Sequence, residues 1–268
     1  MTSEWPLSTE RSAVPWRWRQ LASGTVLPVG FAVAVLLAWE GFTRFFSVPA
    51  ALLPAPTAIW HSLVSTLPVL LQQAVPTLLE ILGGFGAAAV CGIALGAAMV
   101  QSRHLKAMLY PNLVLFQLIP KIALAPLFIV WLGIGSESRL AFALFISIFP
   151  IIISTVNGLM SVEKDLLRYC ASLRATSWQI LISVRLPYSL PHIFAGLKIA
   201  ITMALLGAIV GEFVTAQAGL GYVIIFVTSR IEMPLVMAAI AVLCAIGLVL
   251  YGLIGLAERV LGRFFPVR

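Results

Sequence analysis

The ionisable side chains of Lys121, Lys198 and Glu212 lie inside long apolar runs of the 268-residue chain. A charge is unfavourable in such a run and usually has a function. Lys121 follows Pro120, and Gln117 precedes it by one helical turn, so these residues are candidates for lining a polar cavity. The structural alternative is that the Lys121 side chain extends to the membrane–water interface or pairs with a carboxylate in a loop. Glu212 is either a gate or a polar anchor, and it lies about 21 Å along a helix from Lys198, too far for an ion pair.

Catalytic chemistry finds no support in the sequence. A phosphate-binding loop needs a glycine-rich turn that ends in Gly-Lys-Ser/Thr, and the chain has no Gly-Lys pair. The HExxH and GxSxG patterns are also missing, and Asp165 is the only aspartate. We therefore expect no catalytic residue, no metal site and no cofactor bound by this chain. The cysteines have neither metal-ligand nor disulfide spacing, and we interpret them as packing residues: Cys91, Cys170 and Cys244.

The composition requires lipid as the solvent. Hydrophobic residues make up 61% of the chain, charged residues make up 10%, and the mean hydropathy is +1.05. A net charge of +7 would suggest a nucleic-acid partner for a soluble protein, but no nucleic-acid-binding motif is present. We interpret the lysines and arginines as determinants of membrane orientation.

Six apolar segments are long enough to cross a bilayer, which takes about 20 helical residues. They are Thr25–Thr43, Thr77–Gln101, Met108–Leu132, Leu140–Ser161, Leu190–Val214 and Pro234–Ala257. The first is longer than the apolar region of a signal peptide, about 7–15 residues, which favours a retained span over a cleaved signal. The third contains three prolines and is predicted to be broken. We expect an all-α integral membrane protein with one transmembrane domain, 25–257, between an N-terminal segment, 1–24, and a C-terminal tail, 258–268.

The positive charges predict that both termini are cytoplasmic. With the N-terminus inside, the external segments contain only Arg44, Arg139 and Arg230. The cytoplasmic segments contain Arg11, Arg17, Arg19, Arg103, Lys106, Lys164, Arg168, Arg174, Arg185, Arg259, Arg263 and Arg268. Lysine and arginine accumulate on the cytoplasmic side of membrane proteins, so this orientation is the favoured one.

Two further patterns concern the second span and the segment before it. Gly84, Ala88, Gly92 and Gly96 recur every four residues, which favours close helix packing either within the chain or between subunits. The apolar residues of Ala58–Leu71 have helical spacing. They predict a separate amphipathic helix on the outer surface, or else a re-entrant segment.

Segment 162–188, between the fourth and fifth spans, is polar, basic and patterned as two helices. The apolar residues of the first helix share one face: Leu166, Leu167, Cys170 and Leu173. Thr176 precedes Gln179 by three residues, which is the capping-box pattern at the start of a second helix. Pro187 and Pro191 are predicted to end that helix. We expect a bent pair of short helices at the cytoplasmic face.

This segment resembles the EAA loop of ABC importer permeases, whose pattern is Glu-Ala-Ala, three residues, Gly, nine residues, Ile, one residue, Leu-Pro. Aligned without a gap on Leu186-Pro187, the counterparts are Arg168-Tyr169-Cys170, Arg174 and Val184. The segments PKIALAPLFIVWLGIG and GAIVGEFVTAQAGLGY are similar to the nitrate/sulfonate/taurine group of these permeases. Within that group they look most like members for riboflavin or for pyrimidine precursors of thiamine. The likeness covers most of the chain.

The resemblance implies the type I importer permease fold in the bacterial inner membrane. It implies cytoplasmic ATPase subunits that carry ATP and Mg²⁺, an external substrate-binding protein, and a homodimer or a pair with a close paralogue. The substrate would be a flavin, a pyrimidine, a sulfonate such as taurine, or nitrate, and its pathway would run near the third and fifth spans. Segment 162–188 would be the coupling loop, and its contact residues would be Arg168, Tyr169, Cys170, Arg174, Trp178, Val184, Leu186 and Pro187.

Two residues depart from the family pattern. Arg168 stands where the family has glutamate, and Arg174 stands at the glycine of the bend, where a left-handed backbone favours glycine. A remade bend, an unusual ATPase partner and impaired coupling are all compatible with these changes.

Other transport classes make different demands. A secondary transporter driven by an ion gradient also uses broken helices and charges at membrane depth, but the two halves of this chain show no obvious repeat. An exporter or an assembly scaffold would need no external binding protein.

Overall fold

The computed structural model describes residues 26–215 and 217–264. The predicted N-terminal segment 1–24 and the last four residues of the predicted tail, with Arg268, lie outside them. The helices are α1 (Leu27–Phe45), α2 (Pro56–Gln101), α3 (Arg103–Leu118), α4 (Ala125–Leu132), α5 (Ser136–Met160), α6 (Lys164–Ser172), α7 (Ser177–Ile180), α8 (Leu186–Thr215), α9 (Leu220–Thr228) and α10 (Met233–Phe264). A 3₁₀ turn, Lys121–Leu124, precedes α4, and a π-helical turn, Leu181–Arg185, joins α7 to α8.

The predicted all-α membrane architecture is confirmed. Among residues 26–215 and 217–264, five helical segments are long and apolar enough to cross a membrane, or up to six if the bent pair α3–α4 counts as one span. This pair is the predicted broken third span, and its two parts meet at 92°. Helix α9 lies between the predicted fifth and sixth spans, and its nine residues are too few to cross a membrane.

The prediction of a separate helix at Ala58–Leu71 was wrong, as helix α2 shows. The segment is helical, but it is the first part of a single 46-residue helix that contains Pro68 and Pro76. A proline removes one backbone hydrogen bond without necessarily ending a helix that neighbouring helices support. At 1.5 Å per residue α2 is about 69 Å long, so it extends well beyond a hydrocarbon core of about 30 Å.

The same correction applies to the second helix of the coupling loop. Pro187 and Pro191 do not end it, because α7, the π-helical turn and α8 form one continuous helical run from Ser177 to Thr215. Pro187 lies just after the π-helical turn, and a helix supported by its neighbours tolerates the hydrogen bond that proline lacks. The loop therefore passes into the fifth span without a flexible break.

Helix α5 is the centre of the bundle and packs against α2 and α8. The small-residue stripe of α2 faces it: a Cβ added at Gly84 would lie 2.7 Å from the Cβ of Ala143, and one at Gly96 would lie 2.8 Å from Thr155. On the other side of α5, a Cβ added at Gly207 of α8 would lie 2.8 Å from the Cα of Ala143. The stripe thus allows close packing within the chain, the first of the two predicted alternatives.

The packing interpretation of the cysteines holds only for one of them. Cys170 is buried, whereas Cys91 and Cys244 are exposed on the outside of the bundle. All three are free thiols. The hydropathy of a spanning helix does not show which of its residues face the bundle, because lipid and a second chain accept the same apolar side chains.

Candidate functional site

The bend of the coupling loop is a helix C-terminus closed on a left-handed residue. Helix α6 ends at Ser172, and Arg174 has φ +55°. The N–H of Ala175 donates to the carbonyl of Cys170 at 3.1 Å, and the N–H of Arg174 donates to the carbonyl of Ala171 at 3.0 Å. These two bonds define a Schellman motif, in which glycine is the usual left-handed residue. The bend is thus the one that glycine would make, with an arginine in its place.

The second helix begins with the predicted capping box. The N–H of Gln179 donates to the hydroxyl of Thr176 at 3.3 Å, and the N–H of Thr176 donates to the side-chain carbonyl of Gln179 at 2.8 Å. The amide of Gln101 at the end of α2 donates to the carbonyl of Ser177 at 3.2 Å. The start of the loop's second helix is therefore fixed both locally and to the bundle.

The loop presents a mixed apolar and cationic surface to solvent. Tyr169, Leu173 and Trp178 are each 63–64% exposed. Arg168 is exposed and bonds Asp165 at 3.1 Å, and Arg174 is exposed between the two helices.

The other predicted loop residues support this surface from below. Cys170 is buried under α6, while Val184, Leu186 and Pro187 are half-buried where the loop joins α8. The predicted apolar face of α6 is only partly correct, because Leu173 lies at the helix end and points into solvent.

The break in the third span centres on Pro120. Helix α3 contains Pro111 without a break, ends at Leu118, and is followed by the 3₁₀ turn that begins at Lys121. The Lys121 ammonium donates to the backbone carbonyl of Gln117 at 3.3 Å and lies 5.4 Å from the centre of the Phe149 ring. Within the described chain Lys121 has no carboxylate partner. The structure thus brings Gln117, Pro120 and Lys121 together at the bend.

Glu212 lies elsewhere, in a buried polar cluster at the end of α8 that is remote from the coupling loop. Its carboxylate accepts hydrogen bonds from the Thr77 hydroxyl and from the N–H of Gly221, each at 2.5 Å. The turn between α8 and α9 wraps around this carboxylate: Gly219 has φ +103°, and a Cβ there would lie 2.0 Å from Glu212 Oε1. The N–H of Gly219 also donates to the side chain of Gln73 at 3.0 Å. Glu212 is fully buried, and its bonds tie α2, α8 and α9 together.

A buried ion pair adjoins this cluster. Arg139 of α5 donates to Glu80 of α2 at 2.6 Å and to the hydroxyl of Thr215 at 3.0 Å. Both charged side chains are less than 10% exposed. The sequence reasoning placed Arg139 just before the fourth span, whereas the structure has it buried in the first turn of α5, and that reasoning overlooked Glu80. The rule that singled out Lys121 applies equally to Glu80, an ionisable residue within the second span.

Lys198 has a structural partner near the opposite end of α8. Its ammonium donates to Glu258 of α10 at 2.5 Å, in a partly buried pair. This pair agrees with the expectation that Lys198 does not reach Glu212. Among the residues that the structure describes, no group of His, Cys, Asp or Glu has metal-binding geometry.

A multi-span helical bundle with a broken span and a rigid two-helix loop is the architecture of a membrane permease. A family profile described as "Binding-protein-dependent transport system inner membrane component" matches residues 88–263. The chain belongs to this family, the permeases of ABC importers, as the resemblance implied.

Similar proteins support this placement. The riboflavin transport system permease protein RibX of Chloroflexus aurantiacus is 36% identical over 95% of this chain and 94% of its own. The formylaminopyrimidine transport permease protein ThiX of Halalkalibacterium halodurans is 32% identical over 87% and 94%. The taurine transport system permease protein TauC of Escherichia coli is 29% identical over 91% of each chain.

A solved structure has the same fold. A chain of the MetNI methionine ABC transporter superposes with a TM-score of 0.62 over 72% of this chain and 96% of its own, at 20% identity. The predicted type I importer permease fold is thereby confirmed.

Proposed function

We propose that this chain is the membrane-spanning subunit of an ATP-driven importer and that its coupling loop docks on cytoplasmic ATPase subunits. The observation that carries the proposal is the loop geometry: a capping box and a Schellman bend hold two helices in one fixed arrangement. ATP and Mg²⁺ would bind to the partner, and the chain itself contributes no catalytic residue.

The loop surface has the properties of a docking site. Tyr169, Leu173 and Trp178 form an exposed apolar patch, and aromatic side chains are frequent anchors at protein interfaces. Arg168 and Arg174 add positive charge beside it, which favours a partner whose cleft is acidic at the matching positions. Cys170, Val184, Leu186 and Pro187 act by supporting the patch.

Transmission to the membrane follows from helix continuity. Because α7 runs through the π-helical turn into α8, a displacement of the loop moves α8 as a rigid element. Gly207 and Gly211 bring α8 close to Ala143 and Arg139 of α5, so α5 moves with it. Movement at the ATPase thus becomes movement of the central spans.

The solute would pass beside the bend of the third span, between two copies of the chain. Gln117 and the Lys121 ammonium lie at that bend with Pro120. Lys121 suits a carbonyl-bearing or anionic solute. Glu212 is hydrogen-bonded in a buried cluster, which supports the role of an anchor for the α8–α9 turn over that of a gate.

For the solute we propose an aromatic nitrogen heterocycle of the flavin or pyrimidine class. Two relatives, each matched by this chain over 94% of its own length, are named for riboflavin and for formylaminopyrimidine. Relatives named for taurine and bicarbonate are less similar, at 29% and 27% identity. An external binding protein would deliver the solute. The transmembrane domain would be 25–257, with segment 1–24 and tail 258–268 both cytoplasmic.

The test is to isolate the chain from its native membrane in mild detergent and to identify the co-purifying proteins by mass spectrometry. We expect an ATPase and a substrate-binding protein, whose ligand can then be screened among flavins, pyrimidines and sulfonates. Recovery of the chain alone, with the ATPase present in the starting membrane, would contradict the proposal. Uptake that needs an ion gradient and no ATP would then establish a secondary transporter.

A further inference from the structure

A cavity of about 370 Å³ lies between the coupling loop and the rest of the bundle. It is formed by the ends of α2 and α5, the starts of α3 and α6, and the π-helical turn before α8. Four cationic residues line it: Arg103, Lys106, Lys164 and Arg185. None of the described residues that line it is acidic.

These cations are not neutralised within the described residues, where none of the four forms an ion pair. Asp165, which follows Lys164 in the sequence, bonds Arg168 instead. The Nε of Arg185 is buried and has no hydrogen-bond acceptor in the described chain. A buried N–H without an acceptor is unfavourable, and no carboxylate of the described chain competes with an anion for this guanidinium.

The backbone adds to the positive potential. Arg103 and Lys164 are the first residues of α3 and α6, so the positive ends of two helix dipoles lie at the cavity. Helix N-termini of this kind favour phosphate groups, which arginine and lysine side chains also bind.

Apart from Gln101, the rest of the lining is apolar, and apolar walls favour an amphiphile over a free ion. This apolar lining consists of Met99, Val100, Leu159, Met160, Val162 and Leu167. Met99 and Leu159 belong to the last turns of two spanning helices, so the cavity lies at the end of the bundle that carries segment 162–188. A phosphate alone would use only the cationic part of the lining.

We propose that this cavity binds the phosphate headgroup of an anionic phospholipid. Basic pockets between spans at the cytoplasmic side bind such headgroups in membrane proteins. The bound phosphate would bridge the α2–α3 turn to the coupling loop and so hold the loop in its place. This inference does not depend on the solute or on the ATPase, because it concerns the isolated chain in its membrane.

The experiment is lipid binding to the purified full chain, measured by native mass spectrometry with added phosphatidylglycerol or phosphatidylcholine. We expect the anionic lipid to bind at least several-fold more tightly than the zwitterionic one. Lys164→Gln should weaken phosphatidylglycerol binding by about fivefold, the effect of removing one cation near a headgroup, and Arg185→Gln should do the same. Arg259→Gln is the control: it removes one exposed cation near the end of α10, outside the cavity and without an ion pair among the described residues, and should change little.

Equal binding of the two lipids, or an equal loss in Lys164→Gln and Arg259→Gln, would overturn the proposal. A third arm with inorganic phosphate separates the sources. Binding of inorganic phosphate to the chain, without a preference for phosphatidylglycerol over phosphatidylcholine, would assign the site to a free anion and reject the lipid. If the lipid preference is missing and Lys164→Gln instead weakens ATPase retention, the cations serve the protein partner. Elution of each variant at the wild-type volume shows that it is folded.

Discussion

At the scale of single residues, Arg174 holds a backbone conformation that glycine adopts with less strain. Its φ is +55°, and the neighbouring N–H groups close a Schellman motif. A non-glycine residue in this region is strained by about 1 kcal/mol or more. The bend has thus kept its geometry after the glycine was replaced, which argues against both a remade bend and a loop that has lost its shape.

Arg174→Gly should therefore stabilise the coupling loop locally, by about 0.5–1 kcal/mol, since glycine removes the strain but gains freedom in the unfolded chain. Hydrogen–deuterium exchange of segment 162–188 should become slower, and ATPase stimulation should change little. Ser172→Gly is the control, because Ser172 is in the right-handed last turn of α6, where glycine is unfavourable. Faster exchange in Arg174→Gly than in the wild type would contradict this assignment.

The ion pair of Glu80 and Arg139 also belongs to this scale. Removing one partner of a buried pair leaves an uncompensated charge and typically costs about 3–5 kcal/mol, whereas replacing both by apolar residues is often nearly neutral. We expect Arg139→Met to lower the unfolding midpoint in detergent strongly, and the double variant Glu80→Met/Arg139→Met to recover much of the loss. A double variant no more stable than Arg139→Met would show that the pair is not the source of the stability.

At the scale of elements, close packing of α2, α5 and α8 depends on particular glycines. A Cβ at Gly84 would lie 2.7 Å from Ala143 and 3.0 Å from the backbone carbonyl of Leu140, so one helix must move. Gly86, half a turn later on the same helix, has nothing within 4 Å of an added Cβ.

Gly84→Ala should destabilise the chain by about 1–3 kcal/mol through overpacking. Gly86→Ala should leave it unchanged or stabilise it by up to about 1 kcal/mol, because alanine has the higher helix propensity. Thermal unfolding of the two variants in the same detergent compares them directly. Equal midpoints for both variants would mean that α2 and α5 are not packed as closely as described.

The sequence predicted elements correctly where local residue patterns determine them. The predictions failed where contacts with neighbouring helices determine the structure. Hydropathy predicted the six spans, and the Thr176–Gln179 spacing predicted the capping box. Pro187 and Pro191 were expected to end a helix, and Ala58–Leu71 was expected to be separate from the second span, but helices in a bundle tolerate one missing hydrogen bond. The pairing of Glu80 with Arg139 joins residues 59 positions apart, and no local pattern reports such a contact.

At the scale of the whole molecule, the exposed surface of segment 162–188 is connected to the broken third span through helices α8 and α5. The coupling loop continues into α8, and α8 packs on α5. At the bend near Pro120, the Lys121 ammonium lies over the ring of Phe149 in α5. The resemblance seen in the loop spacing led to the family, and the positions that depart from it, Arg168 and Arg174, lie on the exposed surface. We interpret both as adaptations to the partner surface.

The measurement that tests this account most directly is the amount of ATPase retained by the purified chain in Trp178→Asp compared with the wild type. Trp60→Asp is the control, since Trp60 is 67% exposed, close to the 64% of Trp178, but lies in the first part of α2, away from the loop. We predict that Trp178→Asp loses most of the ATPase and its stimulated hydrolysis, because a carboxylate replaces an apolar anchor, while Trp60→Asp keeps both. Full retention of an active ATPase by Trp178→Asp would contradict the claim that this loop is the coupling surface.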